Sequence, residues 1–299
     1  MTSRSIRVAS VNVNGIRAAA RKGMGEWVEQ AAPDIITLQE VRGEVEHLEE
    51  ALPGWRVVAD ASLQKGRAGV AIASREECAI SRIELGDDSL ESNGRWIEAD
   101  FEIGDETFTV VSAYVFTGEA ETPEKQEPKW AFLDAMERRL PELSANGGLA
   151  LVTGDLNVGH GPLDIRNWKG NVKKSGYLAR ERAYFDRFFG AEGEPVAGQA
   201  GIGRGMVGEL SDTRAFSAGR SGLGWVDIGR RFAGEVDGPY TWWSMRGKAF
   251  DTDTGWRIDY HLASPALAER ATAYRVDRAP SYDTRWSDHA PVVADYTIG

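Results

Sequence analysis

The chain has 299 residues, 42% of them hydrophobic and 27% charged, which suffices for one large core or two ordinary ones and argues against a disordered chain. A net charge of −11 excludes a globally basic nucleic-acid binder, so any grip on phosphate must come from local basic clusters. The single cysteine, Cys78, excludes an intramolecular disulfide, and no apolar stretch near the start is long enough for a signal peptide or membrane span; both point to the cytoplasm.

Residues 6–13 alternate as a strand. Met24, Trp27, Val28 and Ala31 then recur at i, i+3, i+4 and i+7, which predicts an amphipathic helix over about 18–32, stopped by Pro33. Further strands are expected at 35–40, 55–59, 69–73, 96–103 and 108–115, with a tight turn at Gly104-Asp105. Thr122 is placed as N-cap and Pro123 as the first residue of a helix to about 143, with Trp130, Leu133, Met136 and Leu140 on one face. A fully apolar strand at 149–153, a helix at 180–189 and late strands at 240–243, 256–263 and 291–296 follow, with Ser264-Pro265 opening a short helix. This alternation predicts an α/β protein. The glycine-dense stretch at about 191–223 reads as a surface insertion in one domain spanning 1–299, because strands continue on both sides of it.

Six apolar runs end on, or contain, a metal-binding, acidic or proton-relaying residue: Asn12, Glu40, Tyr114, Asp155, Asp259 and the pair Asp288-His289. One divalent cation, one activated water and one imidazole suffice to hydrolyse a phosphodiester. Gly154-Asp155-Leu156-Asn157 delivers a carboxylate and a carboxamide at a strand's carboxyl end, though the same residues make good turn chemistry. Glu40 closes an apolar strand, where a carboxylate suits a hard cation. Asp259 faces away from Trp256, Ile258, Tyr260 and Leu262 and needs a partner, for which His289 is the natural choice. Residues 166–182 are rich in cations with one acid, Glu181, while Arg17, Arg21 and Lys22 cluster after the first strand.

Taken in order, VNVNGIRA (11–18), ITLQEVR (36–42), GRAGVAI (66–72), GRW (94–96), SAYV (112–115), GDLNVGHGPLDIRNWKGNVKKSGY (154–177), WRIDY (256–260) and SDHAPV (287–292) resemble the exonuclease III and abasic-site (AP) endonuclease family of the endonuclease/exonuclease/phosphatase, or DNase I-like, superfamily. The resemblance runs from about residue 6 to the end. It implies a four-layered α/β sandwich in which two packed mixed β-sheets are flanked by helices. It further implies an Mg2+-dependent enzyme, with Mn2+ as a substitute, that incises duplex DNA 5' of abasic sites and carries 3'-5' exonuclease and 3'-phosphodiesterase activity as a monomer.

By the same resemblance Glu40, Asn12 and Asp288, together with Asp155 and Asn157, form the metal-binding set. Asp155 positions or deprotonates the attacking water, Asn157 holds that water or the phosphate, and Asp259 orients His289 toward a non-bridging oxygen. Tyr114 contacts the phosphate or supplies a proton. Arg17, Arg166, Asn171 and Lys173 are the implied phosphate contacts, and Trp242, Trp256 and Ile258 the implied walls of a deoxyribose pocket. Asn14 stands where some members carry an aspartate, which leaves one or two metal ions open, and Thr117 replaces a longer amide after the SAY motif. Two alternatives are a superfamily hydrolase of a phospholipid or phosphorylated small molecule and a catalytically silent DNA-binding scaffold, the latter disfavoured because every expected residue type is present.

Overall fold

The computed structural model describes residues 3–86, 90, 93–199 and 212–299. The first strand, β1 (Arg4–Asn12), leads into two short helices, α1 (Ile16–Arg21) and α2 (Met24–Ala31). The single helix expected over 18–32 is broken at Gly23, whose φ of 107° is a left-handed conformation that no helix interior tolerates. Next come β2 (Ile35–Gln39), α3 (Val45–Ala51), β3 (Arg56–Asp60), β4 (Val70–Ser74), β5 (Ile80–Arg82), β6 (Trp96–Ile103) and β7 (Glu106–Tyr114). The long helix α4 (Pro123–Ser144) starts at the expected proline, although Thr122 makes no side-chain capping bond. Its buried face carries Phe132, Leu133, Met136 and Leu140, while Trp130 is half-buried and stacks on Tyr184.

The strand β8 (Leu149–Asp155) is followed by α5 (Ala179–Phe188), α6 (Arg214–Ser217), β9 (Val226–Asp227) and α7 (Ile228–Ala233). The chain closes with β10 (Asp259–Ala263), α8 (Pro265–Ala268), β11 (Ala271–Val276) and β12 (Val292–Ile298). Residues 240–243 form no ladder. Isolated bridges, Trp242 to Trp256 and Trp242 to His289, hold them together with bonds such as Trp243 N–H to the Asp288 carbonyl and Ala290 N–H to the Thr241 carbonyl.

Two six-stranded sheets result, with orders β11-β12-β1-β2-β4-β3 and β5-β6-β7-β8-β10-β9. Each is antiparallel except for one central parallel pair, β1 with β2 and β7 with β8. The facing surfaces share a core that includes Val8, Val70, Ile72, Phe101, Phe108, Leu151 and Tyr296. Residues of α1, α2 and α3 cover the outside of the first sheet, and α4 and α5 cover the second, giving the four-layered α/β sandwich. Near one end the inter-sheet core turns polar: Thr37 and Thr153 hydroxyls meet at 2.7 Å and Gln39 Nε2 donates to Ser112 Oγ at 3.0 Å. Both parallel pairs stop there, with Asn12 beside Gln39 and Tyr114 beside Asp155.

Of the glycine-rich stretch expected at about 191–223, residues 200–211 lie outside the described residues. Its two stems are joined. Glu192 bridges Gly222, Pro195 bridges Ser221, and Thr213 Oγ1 donates at 2.6 Å to Asp186, which also holds His160 at 2.6 Å.

Candidate active site

The parallel pairs put four strand termini at one edge, and the side chains found there are the ones the sequence singled out. Gly154 makes this close approach possible: a Cβ on it would lie 1.9 Å from the Ala113 carbonyl oxygen. One residue on, Asp155 is 2% exposed, and its Oδ1 accepts from the Asn157 backbone N–H at 3.0 Å. Its Oδ2 accepts from Asn12 Nδ2 at 2.9 Å and from Asn157 Nδ2 at 3.3 Å, and lies 3.8 Å from His289 Nε2. The turn chemistry and the catalytic geometry therefore coexist in the same four residues.

Glu40, with φ of 49°, bends its carboxylate back over the β1 and β7 ends. Its Oε1 accepts from Tyr114 at 2.8 Å and from Asn12 Nδ2 at 2.9 Å, while its Oε2 meets Arg42. Asn12 Oδ1 is taken by the Asn14 N–H at 3.0 Å. As placed, Asn12 thus aims its amide hydrogens at the two carboxylates and bridges them. Asp259, fully buried on β10, receives His289 Nδ1–H at 2.9 and 3.1 Å. Asp288 accepts from Asn14 Nδ2 at 2.9 Å and from the Trp242 indole at 3.1 Å.

Electrostatics follow from burial among like charges. Burial pushes the Asp155 carboxyl up to about 7, despite opposing help from His289 and the Asn12 hydrogen bond. Burial alone would lower the His289 imidazole, but the charges of Asp259 and Asp155 outweigh it and lift it to about 10. The Tyr114 phenol is pushed far above its ordinary range by burial and by Glu40 and Asp155, so it remains a donor. Asp288 is held below the usual carboxylate range: burial opposes this, but His289, Trp242 and Asn14 more than offset it.

These groups floor a cavity of about 780 Å³ lined by Glu40, Asp155, Asn157, Asp288 and His289. Trp242, Trp256 and Ile258 wall it, with the two indoles edge-to-face at 6.2 Å. Of the expected phosphate contacts, Asn171 lines the cavity, although its Nδ2 is spent on the Asn167 carbonyl at 2.8 Å. Arg17 and Lys173 are exposed and do not line it, and Arg166 pairs with Asp237 at 3.3 Å. Lys174, Ser175 and Arg246 line it instead.

Two positioning residues were not singled out from the sequence, although Arg95 lies within the GRW motif at 94–96. Arg95 stacks over Tyr114 at 4.5 Å and Phe116 at 3.8 Å from beneath the site. Lys129 is fully buried, pairs with Glu181 at 2.8 Å and donates to the carbonyls of Asn157 at 2.9 Å and Thr117 at 3.2 Å. A lysine on the apolar face of α4, three residues after buried Gln126, was the readable hint.

The donor set suits a hard divalent cation: carboxylate and amide oxygens face the cavity, there is no thiol, and the one imidazole is committed to Asp259. Asp155, Asp259 and His289 offer ligand atoms within 4.8 Å of one another, but Asp259 is spent on His289. Glu40 and Asp155, with Asp288 across the cavity, are the better fit.

The model of the endonuclease/exonuclease/phosphatase family matches residues 9–289. The chain is 28% identical to an exodeoxyribonuclease of Bacillus subtilis over 289 residues, 96% of this chain and 98% of that one. It is 28% identical to exodeoxyribonuclease III of Haemophilus influenzae, covering 97% and 100%. The solved AP endonuclease of Archaeoglobus fulgidus superposes with a TM-score of 0.74 at 27% identity, covering 97% of this chain and 99% of that one.

Proposed function

Because the chain belongs to the endonuclease/exonuclease/phosphatase family and resembles its phosphodiester-hydrolysing nucleases along nearly its whole length, we propose that it is a DNA-repair nuclease incising duplex DNA 5' of abasic sites, with 3'-5' exonuclease and 3'-phosphodiesterase activity as companions. The observation that carries this reading is the Asp155–His289–Asp259 relay beside Glu40 at the foot of a tryptophan-walled cavity. Trp242, Trp256 and Ile258 offer an apolar wall against which the sugar of an abasic nucleotide can lie. We read the chain as one monomeric domain acting in the cytoplasm; no helix among the described residues is long and apolar enough to cross a membrane.

Asp155 accepts the proton of the attacking water, and Asn157, whose amide oxygen has no protein donor among the described residues, holds that water without the repulsion a second carboxylate would bring. His289, kept protonated by Asp259, donates Nε2–H to a non-bridging oxygen as charge develops there. Tyr114 fixes Glu40 through its hydroxyl, and Asn12 keeps Glu40 and Asp155 at a constant separation. Glu40, Asp155 and Asp288 would hold Mg2+ or Mn2+, which supplies positive charge to the phosphate oxygens. Lys174 and Arg246 are the phosphate contacts preferred here over Lys173, Arg17 and Arg166.

Incubation of the purified protein with a duplex carrying one abasic site is expected to give incision in Mg2+ and none in EDTA. Absence of a cut in Mg2+ at enzyme concentrations equal to substrate would defeat the reading. Cleavage of a phospholipid or sugar phosphate in its place would favour the other branch of the family.

The pH profile of kcat/KM carries a signature of the relay. Asp155 works as a carboxylate, so the rate falls about tenfold per unit as pH drops through its raised value of about 7. His289 works as an imidazolium, so the rate falls again as pH rises through about 10. A cation bound beside Asp155 moves the acid limb lower and, by offsetting the negative charge that helps hold the His289 proton, draws the basic limb lower as well. Rates from pH 5 to 11 should therefore trace a bell whose acid limb shifts with metal saturation. A profile flat across that range would remove both groups from the proton inventory.

A further inference from the structure

A second cavity, of about 330 Å³, opens between α5 and the stem that follows the glycine-rich stretch. Its lining among the described residues contains Arg180, Arg187 and Arg220, together with Tyr184 and Phe216, and no carboxylate. On a chain of net charge −11 this is an unusual concentration of guanidinium groups. Two acids stand behind the three cations: Glu137 pairs with both Arg187 and Arg220, and Asp134 is held by the Tyr184 hydroxyl, while Arg180 stacks over Trp130 at 4.4 Å and reaches that hydroxyl only at 3.5 Å.

Arg187 is 4% exposed, and its Nε is buried without a hydrogen-bond partner. A phosphate oxygen entering the cavity is well matched to the guanidinium forks of the arginines that line it. At the rim, Phe216 leaves 46% of its surface exposed in a position to meet an aromatic group.

We propose that this cavity is a second anion site that takes the phosphate of a nucleotide, with the base or sugar lying against Phe216. It shares no lining residue with the cavity at Glu40. It is built partly from Ala215, Phe216, Ala218 and Arg220, in the later stem of the glycine-rich stretch, so that stem lines a cavity besides leading into β9. The phosphate comes either from a free mononucleotide or from a strand of DNA lying beyond the catalytic cavity. Both sources present the same chemistry to the arginines.

Calorimetric titration of the full chain in EDTA with inorganic phosphate and with dAMP, repeated with Arg220→Ala and Phe216→Ala, tests the site. Arg220 is half exposed and lies outside the catalytic machinery, so this variant is expected to fold and to incise a short abasic duplex at the wild-type rate. Saturable dAMP binding is expected, at least tenfold weaker in Arg220→Ala, with Phe216→Ala weakening dAMP but not phosphate. A parallel arm measures affinity for a long duplex against salt. A slope reduced by about one in Arg220→Ala assigns the phosphate to a DNA strand. An unchanged slope with lost dAMP binding assigns it to free nucleotide. Titrations without saturation, together with an unchanged slope, overturn the proposal, as does dAMP binding that neither variant alters. These outcomes do not depend on the incision assay, so a failure here is separable from a failure of the nuclease reading.

Discussion

Asp155→Asn is expected to reduce incision by about 10³- to 10⁴-fold, with affinity for abasic duplex in EDTA within a few-fold of wild type. The substitution keeps the volume and the acceptor oxygen for the Asn157 N–H, so the turn that carries it survives. What it removes is the group that can take a proton from water. It also removes one of the three carboxylates, with Asp259 and Asp288, that hold His289 in its charged form, so the imidazole loses part of its hold on the proton at high pH. Single-turnover rates and filter binding separate the two effects. A variant within tenfold of wild type would mean that the proton leaves by another route.

The second large effect is on stability. Lys129→Met is expected to cost about 3–5 kcal/mol in urea unfolding, because Glu181 would be left as a buried carboxylate without its cation. Both side chains are fully buried and 2.8 Å apart. The loss also frees the Asn157 and Thr117 carbonyls that the ammonium holds, so the loop from 154 to 177 should loosen before the sheets part. Lys129→Met combined with Glu181→Leu should recover much of the loss, since replacing both partners removes the uncompensated charge. A single variant as stable as wild type would show that water reaches the pair and that the cluster is not dry.

Much of the catalytic floor could be read from the chain. Asn12, Glu40, Tyr114 and Asp155 terminate apolar strands, and that pattern survives because fully buried strands in the middle of a sheet advertise themselves through continuous hydrophobic runs. The pairing of Asp259 with His289 followed from an acid on the wrong face of an otherwise apolar strand. Other features had no such signal. β5 and β11 are short edge strands whose exposed residues include Ile80, Thr272 and Ala273, so their hydrophobic pattern is faint. That Asn12 donates to both carboxylates depends on one N–H, that of Asn14, which residue order does not reveal.

Lys173 was the lysine named from the sequence, whereas Lys174 lines the cavity, for a related reason. Residues 167–177 wind through short 3-10 turns with no stable period, so which lysine faces the cavity is decided by turn geometry and not by spacing. The break at Gly23 was legible in principle, since glycine between two charged or polar stretches is a common stop. Periodicity across the break concealed it.

The arrangement of β1 bears on when this enzyme can first act. That strand sits in the interior of its sheet, parallel to β2 on one side and antiparallel to β12 on the other, with Arg4 registered against Ile298. β1 becomes an interior strand only once β12 pairs with it, and Asp288 and His289, which lead into β12, reach the site through the same pairing. Contacts so distant in sequence favour slow folding, and while β12 is unpaired the cutting centre is not assembled.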